Sequence, residues 1–91
     1  MPQTYHVLAR IISIRQGACS VGHQVGQEFL FTEKSPGGLC TWAYNTIYPA
    51  VETLMYGGDF PWEAEPGTAR VVCPDPEVPV VFELRRVPAG Q

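Results

Sequence analysis

Residues 37–58, GGLCTWAYNTIYPAVETLMYGG, decide the fold, because no other stretch of this 91-residue chain is long and apolar enough to form a core helix. A glycine pair stands at each end. Between them Leu39, Trp42, Ala43, Ile47, Val51, Leu54 and Met55 recur mostly at three- and four-residue steps, the spacing of one helical face. Cys40 falls in the expected first turn, where free backbone N–H groups and the positive end of the helix dipole favour a thiolate. Pro49 lies inside the stretch. It removes one backbone hydrogen bond and crowds the preceding turn, so the spacing predicts a kink, or a break after Tyr48 with a second helix starting at Pro49.

Outward from this segment the chain reads as strands. Residues 4–15 carry Val7, Leu8, Ile11, Ile12 and Ile14 with no turn residue among them, which predicts a central strand or an edge covered by a partner subunit. His6 and Arg10 then need partners on its less buried face. A loop at 16–22 holds Cys19, and residues 25–31 form a second strand with Phe29 and Phe31 on one side and Glu28 and Leu30 on the other. The two strands are expected to pair antiparallel across a long connection. After the helix, residues 59–67 (DFPWEAEPG) are an irregular loop expected to lay Phe60 and Trp62 over the core. Residues 68–73 and 78–87 are two more strands, separated by the Pro74-Asp75-Pro76 turn. In the last strand Val80, Phe82 and Leu84 face inward and Glu83 and Arg85 outward. The tail at 88–91 is expected to fray.

The predicted architecture is one α+β domain over residues 1–91. Its elements run β-β-α-β-β, with a small antiparallel sheet and one kinked or broken helix packed on one face.

Composition bounds the function. A formal charge of −3 and a pI near 5.2, with Arg85 and Arg86 the only adjacent pair of basic residues, argue against a nucleic-acid partner. No apolar run approaches the roughly 20 residues of a membrane span, and the opening MPQTYHVLAR lacks the pattern of a secretory signal. A cytoplasmic protein without a membrane partner is expected. Three cysteines are an odd number for a disulfide framework, which leaves burial, metal ligation or thiol chemistry.

Four residues carry the chemical question: Cys19, His23, Cys40 and Cys73. Three sulfurs and an imidazole suit a tetrahedral zinc or an iron ion if the fold gathers them. Cys19 and His23 share a loop, Cys40 opens the helix, and Cys73 ends a strand. There is no Cys-x-x-Cys pair. The structural alternative is that Cys40 and Cys73 are small buried hydrophobes and His23 a surface residue.

Several strings together carry a resemblance. They are Cys19-Ser-Val-Gly-His23-x-Val-Gly-x-x-Phe29, Gly38-Leu-Cys40-x-Trp42-Ala with Ile47-Tyr-Pro49, Gly57-Gly58-x-Phe60-Pro-Trp62, and Cys73-Pro-Asp-Pro76 before Val80-Val-Phe82-Glu-Leu84. The chain resembles, over nearly its whole length, a family of small prokaryotic proteins of about this size with no assigned activity. The resemblance implies cysteines at the positions of Cys19, Cys40 and Cys73 and a histidine at that of His23, and so a shared site. It implies no mechanism.

The residues allow three chemistries. Four ligands would close a structural metal sphere; three would leave an open position for water or substrate. Without metal, Cys40 is the candidate nucleophile and His23 its base, although no third group that would orient the imidazole is identifiable. Asp59, Glu63 and Glu65 are either carboxylates at the mouth of such a site or solvated surface. Separately, Trp42, Tyr44, Tyr48, Tyr56, Phe60 and Trp62 could line a pocket for a small-molecule ligand or form a homo-oligomer surface, with Trp42 and Phe60 expected in the core. Tyr44, Tyr48 and Glu52 fall on the outer helix face, and an exposed tyrosine stripe favours a homo-oligomer.

Overall fold

The computed structural model describes residues 5–15 and 17–88. Thr4, Gln16 and residues 89–91, where the expected first strand, first loop and frayed tail begin or end, lie outside the described residues. Four strands form one antiparallel sheet: β1 (Tyr5–Ile14), β2 (Glu28–Phe31), β3 (Thr68–Val72) and β4 (Val80–Pro88), in the order β2-β1-β4-β3. Between β2 and β3 in sequence runs a single helix, α1 (Thr41–Met55). The chain therefore has the α+β architecture and element order that its pattern predicts. β4 extends through Pro88, which pairs with Tyr5, so the tail is ordered one residue further than expected.

β1 is central, with β2 and β4 as neighbours. Its alternation is clean: Val7, Ala9 and Ile11 are fully buried under the helix, while Arg10 and Ile12 are exposed on the other side. Arg10 finds Glu28 on β2 at 2.9 Å, and His6 lies 3.7 Å from Glu33. Between the pairs Ile11–Phe82 and Ser13–Val81 the register shifts by one residue, so Ile12 sits in a bulge.

Helix α1 differs from its predicted form in two ways. It starts at Thr41, with Cys40 as the N-cap at φ −55° and ψ 134°, so residues 37–40 are a lead-in and Cys40 is not in the first turn. Gly38, at φ +82°, holds that lead-in in the left-handed region. The second is that the break allowed for after Tyr48 does not occur: Pro49 lies inside one continuous helix. Pro49 and Asn45 both lie on the exposed side of the helix, where solvent is at hand for the carbonyl that loses its helical donor. On the opposite side Ile47, Val51 and Leu54 are fully buried. Each such side chain contributes about 1.5–3 kcal/mol, which together outweighs the roughly 3 kcal/mol of an interior proline.

The C-terminus of α1 is closed as the glycine pair suggests. Gly57, at φ +90°, donates to Leu54 O at 3.1 Å and Gly58 donates to Thr53 O at 2.8 Å, the paired bonds of a Schellman ending. A Cβ at Gly58 would stand 2.7 Å from Thr53 Cγ2 and 3.1 Å from Thr53 O. Arg86 of β4 completes the cap. Its Nη1 donates to Leu54 O at 3.1 Å and to Gly58 O at 2.8 Å, Nη2 donates to Asp59 Oδ1 at 2.9 Å, and the guanidinium lies over the Tyr5 ring.

Phe60 packs against the core as expected, but Trp62 lies tilted against Phe60 with 73% of its surface exposed, and Trp42 is 60% exposed. Trp42 misses the core because it lies one residue, about 100° of helical rotation, from the buried Ala43. The carboxylates of the 59–67 loop have structural partners. Asp59 accepts from Gly67 N and Arg86, Glu63 from Arg70 N, and Glu65 from Arg85. Among the described residues no helix is long and apolar enough to cross a membrane.

Candidate functional site

Three separate loops converge at one end of the sheet, beside the start of α1. The first leaves β1 and turns back at Cys19, whose carbonyl accepts the N–H of Gly22 at 3.0 Å. Gly22 and Gly26 have φ of +87° and +93°, and Gly26 N then bonds Ile11 O at 2.8 Å, bringing the loop back onto β1. His23 lies between these turns. It is 7% exposed and its ring meets Phe29 edge-on at 5.2 Å, so it is a buried residue and not a surface one.

The second contribution is Cys40. Its backbone N–H donates to His23 Nε2 at 3.0 Å. No side chain caps the helix start and its first turn holds no acid, so the positive end of the helix dipole is not offset by a local carboxylate. The third is Cys73, immediately after β3. Asp75 Oδ1 accepts the N–H of Glu77 at 2.9 Å and of Val78 at 3.2 Å, folding the Cys-Pro-Asp-Pro segment into a tight turn. That turn carries Val80 N to 3.3 Å from Cys73 Sγ, while the Cys73 thiol donates to Val78 O at 3.9 Å.

All four predicted residues, Cys19, His23, Cys40 and Cys73, line a single cavity of about 20 Å³. Ala43, Val80 and Phe82 give it an apolar floor, and the three cysteines are free thiols, each half-buried. Ser20, Trp42 and Asp75 also border it; of these only Trp42 was singled out from sequence, and then among the aromatics and not with the cysteines. Asp75 was the most legible, since an aspartate between two prolines is a turn former. The carboxylates Asp59, Glu63 and Glu65 do not line it. As the side chains stand, no group of three or more His, Cys, Asp or Glu among the described residues is arranged to hold a metal ion.

A second, larger hollow of about 250 Å³ runs along α1 from Tyr44 to Tyr56, between the helix, the start of β1 and the segment after β2. Tyr5, His6, Phe31, Tyr44, Tyr48 and Tyr56 line it. Phe31, Tyr44 and Tyr48 stack in a column, at 5.9 Å and 5.4 Å between ring centres. The carboxylate of Glu52 beside Tyr48, more than burial or the neighbouring Tyr44 and Tyr56, holds the Tyr48 hydroxyl above its ordinary pKa. The expected tyrosine stripe is thus the wall of a hollow, and Tyr44 is half-buried within it. Cys40 does not reach this hollow, so the cysteines and the tyrosines form two sites.

No family model, no curated protein and no solved structure matches the chain. The chemistry of the two sites rests on their own residues.

Proposed function

We propose that the protein binds one soft metal ion, zinc or iron, with Cys19, Cys40, Cys73 and His23 as its ligands. The observation that supports this reading is the convergence of four side chains, spread from residue 19 to residue 73, on one cavity of about 20 Å³. A space of that size takes a single ion or water, for which about 10–15 Å³ suffices, and is too small for an organic substrate. The donor set is the one such metals favour. The N–H of Val80 already points at Cys73 Sγ, and a donor of that kind stabilises a metal-bound thiolate.

Binding on this reading requires the side chains to close in. Each cysteine swings about one torsion, between staggered positions. His23 must give up the Cys40 N–H, because the Nε2 lone pair cannot serve a donor and a metal together. Retained at Nε2, His23 positions Cys40 and the three thiolates bind with water as the fourth ligand. The ligand set is read directly from cobalt(II) added to chelator-treated protein. Tetrahedral thiolate coordination gives intense charge-transfer and visible bands. Those bands are expected to be lost in Cys19→Ser, Cys40→Ser and Cys73→Ser and altered in His23→Ala. Unchanged bands in any cysteine variant remove that residue from the set, and no bands in the native protein overturn the reading.

The tyrosine-lined hollow supports a second reading, a binding site for a small aromatic molecule. Its volume of about 250 Å³ and the stacked column ending at Tyr48 favour it. Tyr48→Ala is expected to abolish such binding without affecting the cobalt spectrum.

A further inference from the structure

The helix covers one face of the sheet; on the other, among the described residues, only the 59–67 loop lies against the β3 side, through Glu63, Glu65 and Trp62. Across that second face the register places Glu28, Arg10, Glu83 and Arg70 in one line, one from each of β2, β1, β4 and β3. The signs alternate: minus, plus, minus, plus. With strands about 4.8 Å apart the line is roughly 14 Å long. Glu28, Arg10 and Arg70 are exposed and Glu83 half-buried. One neighbouring row runs Leu30, Leu8, Arg85, Thr68, with Arg85 held by Glu65, and the row on the other side of the line is apolar. Ile12, Val72 and Val81 lie in that apolar row, next to Trp62.

We infer that this face packs on the same face of a second copy of the chain, about a two-fold axis that runs along the strands between β1 and β4. That operation reverses the order of the line. Glu28 of one copy then lies over Arg70 of the other, and Arg10 over Glu83, so all four positions meet the opposite charge. A two-fold axis along the line itself would place each charge over its own copy and is repelled. The charges therefore choose one orientation out of two, which is what complementary potentials contribute to an interface.

The attraction comes from the Ile12, Val81 and Val72 side, since on the other side Leu8 comes against Arg85 of the other copy, whose charge stays paired with Glu65. Near the axis Ile12, 40% exposed in its bulge, comes against Val81 of the other copy. Sheets packed face to face stand about 10 Å apart, a gap that arginine side chains span. Within each copy Arg10 is already paired with Glu28, and Arg70 with Glu63, so the added ion pairs give orientation more than energy. A four-stranded face is smaller than the roughly 800 Å² per partner of a standard stable interface, and the dimer is accordingly concentration-dependent. It is independent of the cysteine site.

The test is sedimentation of the native protein and of two reversals, Arg70→Glu and Glu28→Arg, with thermal melting to show that each remains folded. The native chain is expected to dimerise with concentration, and each variant alone to weaken dimerisation at least tenfold. An equimolar mixture of the two variants restores opposite charges at both ends and is expected to dimerise like the native protein, as is the double variant. Ile12→Lys, an exposed substitution beside the axis, is expected to abolish the dimer by a route that does not disturb the Arg70–Glu63 pair. A native protein monomeric at every concentration, reversals without effect, or a mixture that fails to recover would each overturn the inference.

Discussion

His23 accepts, at Nε2 and 3.0 Å, the backbone N–H of Cys40, the residue that opens the helix. One bond thereby ties the loop after β1 to the start of α1. The imidazole is at the same time wedged against Phe29 of the core. His23→Ala leaves the Cys40 amide without its acceptor, and an unmet buried or half-buried donor costs about 1–3 kcal/mol. Urea unfolding of the chelator-treated, metal-free protein, in which this bond stands, is expected to show a loss of that size with the slope unchanged. His23→Gln, whose side-chain oxygen can accept, is expected to recover part of it. Equal stability of the metal-free native protein and metal-free His23→Ala would remove His23 from any structural role.

Arg86 holds more of the fold than its place near the end of β4 suggests. It satisfies two carbonyls at the helix end, pairs with Asp59 and covers Tyr5. Hydrogen bonds from a charged donor contribute about 1.5–3 kcal/mol each, and they are not additive. Arg86→Met is expected to lower stability by about 2–4 kcal/mol. Arg86→Lys should recover less than half, since an ammonium cannot span both carbonyls and the carboxylate. Hydrogen exchange at Gly57 and Gly58 should rise in both variants.

Acid sensitivity follows from two carboxylates. The N–H of Gly67, and then Arg86, hold Asp59 below its ordinary pKa; Arg85 does the same for Glu65. In both cases the unfolded chain takes up the proton more readily than the folded one. Their contribution is therefore complete above the ordinary carboxylate range and is lost as pH falls through the lower folded values. Asp59→Asn and Glu65→Gln are expected to flatten the fall of stability between neutral and strongly acid pH. Parallel curves for native and variant proteins would contradict the assignment.

Pro49 is an unfavourable residue kept inside a helix. Pro49→Ala restores an N–H for the Asn45 carbonyl and removes an interior proline worth about 3 kcal/mol, offset by up to about 1 kcal/mol of added freedom in the unfolded chain. A net gain of about 2 kcal/mol is expected by denaturant unfolding. A loss would mean that the native backbone at Pro49 depends on its ring.

Much of this fold is legible in the sequence because its signals are local. Alternation alone puts Phe29, Phe31, Val80, Phe82 and Leu84 inward, and Gly57-Gly58 alone ends the helix. The start of α1 is not legible in the same way, because Leu39-Cys40 carries no serine, threonine or aspartate cap and the helical spacing runs on backwards through Leu39. Trp42 was placed inward for a related reason: periodicity does not separate the centre of a helical face from its flank. The four candidate residues are legible by type, as sulfur and imidazole donors. The engagement of His23 Nε2 is not, since it depends on where the fold carries the backbone of Cys40. The line Glu28–Arg10–Glu83–Arg70 is hidden for the same reason, because each neighbour is set by strand register and not by sequence distance.

The metal content of native protein purified without an affinity tag or chelator, counted per chain and paired with thiol titration, tests the metal centre most directly. About one zinc or iron per chain is expected, with thiols that react only after chelation, and with the metal lost from Cys40→Ser. Background metal together with three freely titrating thiols would contradict it.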